Sequence, residues 1–234
     1  MKIAISQPRY LPALNYLQRI LLVDTFVLLD NVQYTPRDWE NRNRIRTWNG
    51  NQWLSVPIAG HHRGRLLKDT VIDNNAPWQR QHYQALALNY KKAPYFGEMQ
   101  DLLEQVYEGQ KWEGLCRLNF FILEAFLNYL GLERRLVWAS DVGGNGAGSD
   151  LILNLCRSLK ATAYVSGPLG SGYLVPEEFA QAQIELIYHD YTPQAYGQVH
   201  GEPFMPWLSA IDLFMNHGPD SSKKLAEGAV LTGP

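Results

Sequence analysis

The stretch KIAISQPRYLPALNYLQRILLVDTFVLLD (residues 2–30) decides the fold. Its first five residues, KIAIS, read as a strand, and TFVLLD (residues 25–30) reads as a second. Between them Leu14, Leu17, Ile20, Leu21 and Leu22 recur at the spacing of one helical face. Two strands joined through a helix make a βαβ unit, whose parallel pairing and right-handed crossover build an α/β sheet. Gln7, Pro8, Tyr10 and Pro12 crowd into the junction between first strand and helix. The two prolines fix φ and predict a rigid arch. In open α/β sheets ligands sit beyond the carboxyl ends of the strands, where helix N-termini offer free N–H groups and partial positive charge. The arch is therefore expected to shape a ligand pocket, with Gln7 and Tyr10 supplying hydrogen-bonding groups at its rim.

Working outward, three later runs also read as strands: RLVWAS (residues 135–140), ATAYVSG (161–167) and IELIYHD (184–190). A helix over residues 149–160 separates two of them, with Ser149 and Asp150 expected to cap it after the glycine-rich VGGNGAG. About five strands with intervening helices predict a doubly wound, mainly parallel Rossmann-like α/β sheet, built from residues 1–30 and 133–234. Residues 31–132 read as an insertion of β-hairpin plus helices. Asn49-Gly50 between alternating runs marks the hairpin. A further strand is expected over residues 67–73, then helices over 78–90, 95–107 and 111–130.

A chain of 234 residues can bury one sizeable core or one core carrying an insertion. Its 46% hydrophobic and 12% aromatic content exclude disorder. The net charge of −2 excludes a surface coated in basic residues, so any anion site must be local. Cys116 and Cys156, each beside leucines in a helical pattern, read as buried thiols in a reducing compartment. His61-His62 is an isolated pair, and His82, His189 and His217 lie far apart, so no metal-ligand spacing is present. The absence of a signal-like or membrane-length apolar run leads to the expectation of a cytoplasmic protein with no membrane span.

Several constellations can carry chemistry. Asp30 would project from the end of the second strand as an acid/base group or cation ligand. The segment after it supplies Gln33, Arg37, Asn41, Arg42, Arg44 and Arg46. On an extended strand Arg42, Arg44 and Arg46 face one way and repel one another unless anions or carboxylates lie opposite. The arginine fork suits phosphate, diphosphate or carboxylate. The plainer reading is a solvated face paired with Asp38 and Glu40. The trailing HHRGRLLK adds positive charge. Trp39, Trp48 and Trp53 interleave with these arginines as in nucleic-acid stacking surfaces. The short basic cluster and negative net charge instead favour a small phosphorylated or carboxylated substrate, with an RNA end as the lesser alternative.

In YVSGPLGSGYL (residues 164–174), Ser166, Gly167 and Tyr173 offer hydroxyls and exposed N–H groups for an anion. GxxxxGK[ST] is absent, so this is not an ATPase loop. His189 reads either as a general base oriented by Asp190 or Asp212, or as a structural histidine. A helix starting near Pro206 would line up Ser209, Asp212 and Asn216 on one face, directed at a pocket or at solvent, with Ile211, Leu213 and Phe214 buried. No serine-hydrolase elbow, EF-hand or zinc pattern occurs.

The motifs QPRYLPALNYLQRI, DTFVLLDNVQYTPRDWENRNRI, WLSVPI, YKKAPYF, ATAYVSG…YL and LSAIDLFMNHG, in that order, resemble the WbqC-like family over nearly the whole chain. Asn15 and Leu17 stand where that family more usually has Gly and Phe. The resemblance implies a bacterial transferase acting on an activated sugar or a carboxylate/acyl substrate in surface-polysaccharide or natural-product biosynthesis. It specifies no cofactor, and leaves a carrier protein, a tRNA or an oligomeric partner open. Its alternatives are a non-catalytic partner module and an aminoacyl-tRNA-end-binding transferase. The opening is also distantly similar to HxGH-type nucleotidyltransferases, yet the HxGH histidines are missing. Asn15 and Tyr16 stand roughly where the second would fall. The expected site thus has Gln7, Asp30 and His189 in catalytic roles. Tyr10, Asn15, Tyr16, Gln33, Arg37, Asn41, Arg42, Arg44, Ser166, Gly167, Tyr173, Ser209, Asp212 and Asn216 are expected around the substrate, with no metal.

Overall fold

The chain enters through β1 (Lys2–Ser6), α1 (Leu14–Leu21) and β2 (Thr25–Leu28) in the computed structural model, which describes residues 1–60 and 64–234. β1 and β2 pair in parallel, Ile3 opposite Thr25 and Ser6 opposite Leu28. Ile3, Ala4, Phe26, Val27 and Leu28 are fully buried, as strands covered on both faces must be. The His61-His62 pair and the first arginine of HHRGRLLK lie outside the described residues.

β3 (Arg42–Thr47) and β4 (Gly50–Ser55) form the expected antiparallel hairpin, with Thr47 opposite Gly50 and Trp48-Asn49 at the tip. Gly50 sits at φ +140°, a conformation that favours glycine. The strand expected over residues 67–73 is instead a 3-10 turn at Leu67–Asp69. Isolated bridges follow it, Ile58 to Ile72 and Val71 to Gly114. The Thr70 N–H closes on the Leu67 carbonyl, so this backbone meets its hydrogen-bonding needs locally. The helices α2 (Trp78–Tyr90), α3 (Phe96–Tyr107) and α4 (Leu115–Tyr129) then fall within the expected stretches.

The chain returns to the sheet with β5 (Arg135–Trp138), α5 (Ala139–Val142), α6 (Gly148–Ser158), β6 (Ala163–Ser166), α7 (Pro176–Gln181) and β7 (Glu185–Tyr191). It ends with α8 (Ala210–His217), α9 (Ser221–Ala226) and β8 (Ala229–Thr232). Residue 147, not Ser149 or Asp150, stands at the start of α6, and the Ser149 hydroxyl instead accepts from the Val175 N–H. α8 begins four residues later than expected, because Ser209 caps it by accepting the Ile211 N–H. β8 pairs antiparallel with β7 and was not foreseen, since AVLT is short and mostly exposed.

The six strands lie in the order β5-β2-β1-β6-β7-β8, with all but β8 parallel. From β1 the chain winds outward to β2 and β5; from β6 it winds the other way to β7. The direction of winding therefore reverses between β1 and β6, and ligands of such sheets usually sit beyond the carboxyl ends at that point. One apolar cluster runs from Ala4, Leu17 and Phe26 through Ile45, Trp78 and Leu103 to Phe214. The opposite sheet face packs Ile3, Ile5 and Val27 on Leu151, Leu155 and Phe179. Cys116 and Cys156 are buried and free. Among the described residues no helix is long and apolar enough to cross a membrane.

Candidate functional site

At the reversal point the sequence places an arginine inside. α1 is only eight residues long, yet Tyr16, Gln18 and Arg19 are buried along with Leu14, Leu17 and Ile20. Helical side chains tilt toward the N-terminus, which sends Arg19 back toward the arch and the carboxyl ends of the strands. Its Nη1 lies against Gly167, where a side chain would collide with it. Gly167 is glycine for this close approach, and Gly170 for a similar approach to the Ser166 hydroxyl. Arg19 is 8% exposed, its Nε is buried without a hydrogen-bond partner, and no ion pair among the described residues involves it. Burial, and then the neighbouring Arg9, lower its affinity for its proton.

Other polar groups converge on this guanidinium. Arg9 lies over the Tyr16 ring, its guanidinium carbon 5.4 Å from the centroid. The Tyr16 hydroxyl donates to the Gln7 carbonyl at 3.1 Å, and its ring packs edge-on against Phe26. From β6 come Tyr164 and Ser166, and from the loop after it Tyr173; hydrogen-bond contacts link Tyr164 to both. From β7 comes His189, 2% exposed with Nε2 unpartnered. Burial, with Arg19 nearby, lowers its pKa to about 4, so the ring is neutral at neutral pH. Of the residues expected from sequence, Tyr16, Ser166, Gly167, Tyr173 and His189 are thus gathered at one place, with Gln7 present through its backbone carbonyl.

The arch turns its other side to the hairpin and helices. The Tyr10 N–H donates to the Trp39 carbonyl, and the Asn43 side chain donates to the Leu11 carbonyl at 2.6 Å. Tyr10 is not at a rim: it is fully buried, its hydroxyl 2.8 Å from His82 Nδ1 and 2.6 Å from the Tyr107 hydroxyl. Asn119 Nδ2 donates to both the Pro8 and the Glu40 carbonyls, at 3.1 and 2.8 Å. The Glu40 backbone is thereby tied to the arch, and its side chain is 4% exposed with Oε2 unpartnered. Burial and Asp38 push its carboxyl up to about 7.

The remaining expected residues lie apart. Asp30 accepts the N–H and hydroxyl of Ser140 at 2.9 and 2.7 Å, tying the end of β2 to α5. Arg42 lies 4.3 Å over Trp53, and Arg44 lies between Trp53 and Trp39 while donating to the Trp207 carbonyl. Arg46 is capped by the carbonyls of Gly50, Gly201 and Pro203. No ion pair joins these arginines to Asp38 or Glu40; the two pairs among the described residues both lie at residues 220–227. Arg37 and Asn41 line an open groove of about 700 Å³ with Tyr34 and Ser55. Gln33 is exposed and bridges Leu66, and Asn15 is half-buried early in α1.

Ser209 and Asp212 are fully buried, and Asn216 is half-buried. Asp212 accepts from Tyr90, Tyr196 and Gln198 at 2.8, 2.8 and 2.9 Å. Burial raises its pKa, against the three hydrogen bonds that lower it. Asn216 donates back to the Asp212 carbonyl, and Ser209 is held to the Arg44 carbonyl. This network joins α8 to α2. Among the described residues no group of three His, Cys, Asp or Glu side chains is placed to hold a metal.

Arg9, Arg19, Tyr164 and Glu40 escaped the sequence reading as site residues. Arg9 was visible inside the arch itself. Arg19 carried a subtler signal, a charged residue between Leu17 and Ile20 in a helix too short to have a broad solvent face.

The pattern of the WbqC-like protein family matches residues 7–224. The uncharacterized protein Rv1507c of Mycobacterium tuberculosis (strain ATCC 25618 / H37Rv) is 37% identical over 222 residues, covering 94% of this chain and 95% of that protein. No solved structure matches the chain.

Proposed function

We propose that this chain, which belongs to the WbqC-like protein family, is an enzyme that seats an anionic group of its substrate, a phosphate or a carboxylate, beyond the carboxyl ends of β1 and β6. The observation that carries this reading is the buried Arg19 with no carboxylate partner. A buried, uncompensated charge costs several kcal/mol, which an arriving anion recovers. Arg9 adds a second positive charge, and Ser166, Tyr164 and Tyr173 add hydroxyls with both donor and acceptor capacity. The placement at a reversal of strand winding is the usual one for ligands of such sheets.

The chemistry this best supports is group transfer, in line with the resemblance to transferases of polysaccharide or natural-product biosynthesis. Fixed donors around an anion stabilise charge that develops when a bond to it breaks. His189, held neutral, and Gln7 serve as orienting hydrogen-bond groups. Asp30, with both oxygens engaged by Ser140, serves in positioning α5 rather than in proton transfer. Thermal-shift measurements with inorganic pyrophosphate and with malonate test the reading. Binding at about one hundred times Kd adds roughly 2.7 kcal/mol of stability and raises Tm by several degrees. No shift with either anion would count against it.

A further inference from the structure

We propose that Glu40 is the proton-carrying group of this anion site, taking up one proton when an anion docks beside Arg9. The inference rests on the anion-site reading above and deepens it.

Its basis is geometric. Glu40 belongs to the segment between β2 and β3, yet it is fastened to the arch at two points. Asn119 bridges its carbonyl to that of Pro8, the residue before Arg9. One residue earlier, the Trp39 carbonyl accepts the Tyr10 N–H at 3.1 Å, the residue after Arg9. The segment carrying Glu40 is thus held against the arch on both sides of Arg9, whose charge reaches the carboxyl without forming an ion pair with it. Oε2 of Glu40 and Oδ1 of Asn119 are both buried and unpartnered, two acceptors that lack a donor. Buried acceptors left in this state are rare and call for an occupant, either a proton or a donor group of a ligand.

The charges around Glu40 fix the direction of the coupling. Asp38 on its own segment disfavours the ionised form, Arg9 on the arch favours it, and Tyr34 and Cys116 of α4 are the other titratable groups that feel its charge. An anion on Arg9 cancels the one favourable charge and adds an unfavourable one, so both effects draw a proton onto the carboxyl.

Titration calorimetry with inorganic pyrophosphate and with malonate, in buffers of differing ionisation enthalpy at pH 7.5, counts the protons taken up. Proton exchange by the probe itself is common to wild type and Glu40→Gln, so the difference between them isolates the carboxyl. The expected result is that both proteins bind and that wild type takes up roughly half a proton more per ligand. Equal proton counts would overturn the role of Glu40 and leave the anion site standing. No binding of either probe to wild type would overturn the anion site and this role with it. Carbon-13 carboxyl NMR of wild type supplies a second measure, independent of the variant's folding. A glutamate titrating near 7, moving upward with the bound probe, is expected; a Glu40 signal unmoved by the bound probe would overturn the proposal.

Discussion

Gly167 and Arg19 share one place in the molecule: Nη1 of the arginine fills the space a Cβ at residue 167 would need. The glycine after β6 thereby admits a charge from α1 to the end of that strand. Gly167→Ala should push the end of a flexible side chain aside without breaking backbone packing. Expected is a stability loss below about 1 kcal/mol with anion affinity reduced about tenfold, one hydrogen bond to a charged group being worth about that. Chemical denaturation paired with calorimetry checks both; unchanged affinity would separate Arg19 from the site.

Arg19 also makes a prediction about stability. Replacing an unpaired buried charge by an apolar side chain of similar length removes a desolvation cost. Arg19→Met should therefore stabilise the free protein by about 1–3 kcal/mol while abolishing the shift with anions, as expected where a site trades stability for function. A destabilised variant in urea would indicate that Arg19 supports the fold.

The carboxyl of Glu40, raised to about 7, binds a proton in the folded state that an unfolded chain releases at about 4.3. Between those values the folded protein holds more protons, so this group's contribution falls as pH rises through the window. Glu40→Gln should accordingly be more stable than wild type at pH 8, by an amount on the order of 2 kcal/mol, and no more stable at pH 4. Urea denaturation at the two pH values measures it.

His82 and His189 run the other way. Burial lowers both to about 4, below the unfolded value near 6.5. Their contribution is present above 6.5 and is lost as pH falls toward 4. In NMR titrations their ring signals should stay fixed from pH 7 to 5; a midpoint near 6.5 for His189 would mean that its ring is solvated rather than buried beside Arg19.

The hairpin arginines serve to separate two anion sites. Arg42 and Arg44 lie on tryptophan faces, where cation–π contact already offsets part of their charge. The double variant Arg42→Gln/Arg44→Gln should leave pyrophosphate affinity within about threefold of wild type, a change below 1 kcal/mol. A much larger loss would move the site to the hairpin.

The sheet was legible because each parallel strand is a short β-rich run with its own helix, so KIAIS and TFVLLD suffice to start the pattern. β8 was not, because a partly exposed edge strand of four residues lacks a burial pattern. The arch was correctly placed as a junction, but its faces were not separable by sequence. Tyr10 and Arg9 are neighbours, and only the hairpin packed on one side decides that Tyr10 is interior while Arg9 lies over Tyr16 of α1. The arginine run after Asp30 looked like a clamp because its partners were invisible: tryptophans and carbonyls distant in sequence satisfy it. Asp212 was similarly drawn to its place by tyrosines from α2 and from the segment before α8.

The central claim is that Arg19 holds an anion. Isothermal titration of wild type and Arg19→Gln with pyrophosphate and malonate, each variant first shown to be folded by its cooperative unfolding, addresses it directly. The account predicts saturable binding of at least one anion to wild type and a loss of about tenfold or more in the variant. Equal affinity in the two proteins, or no binding to either, would contradict it.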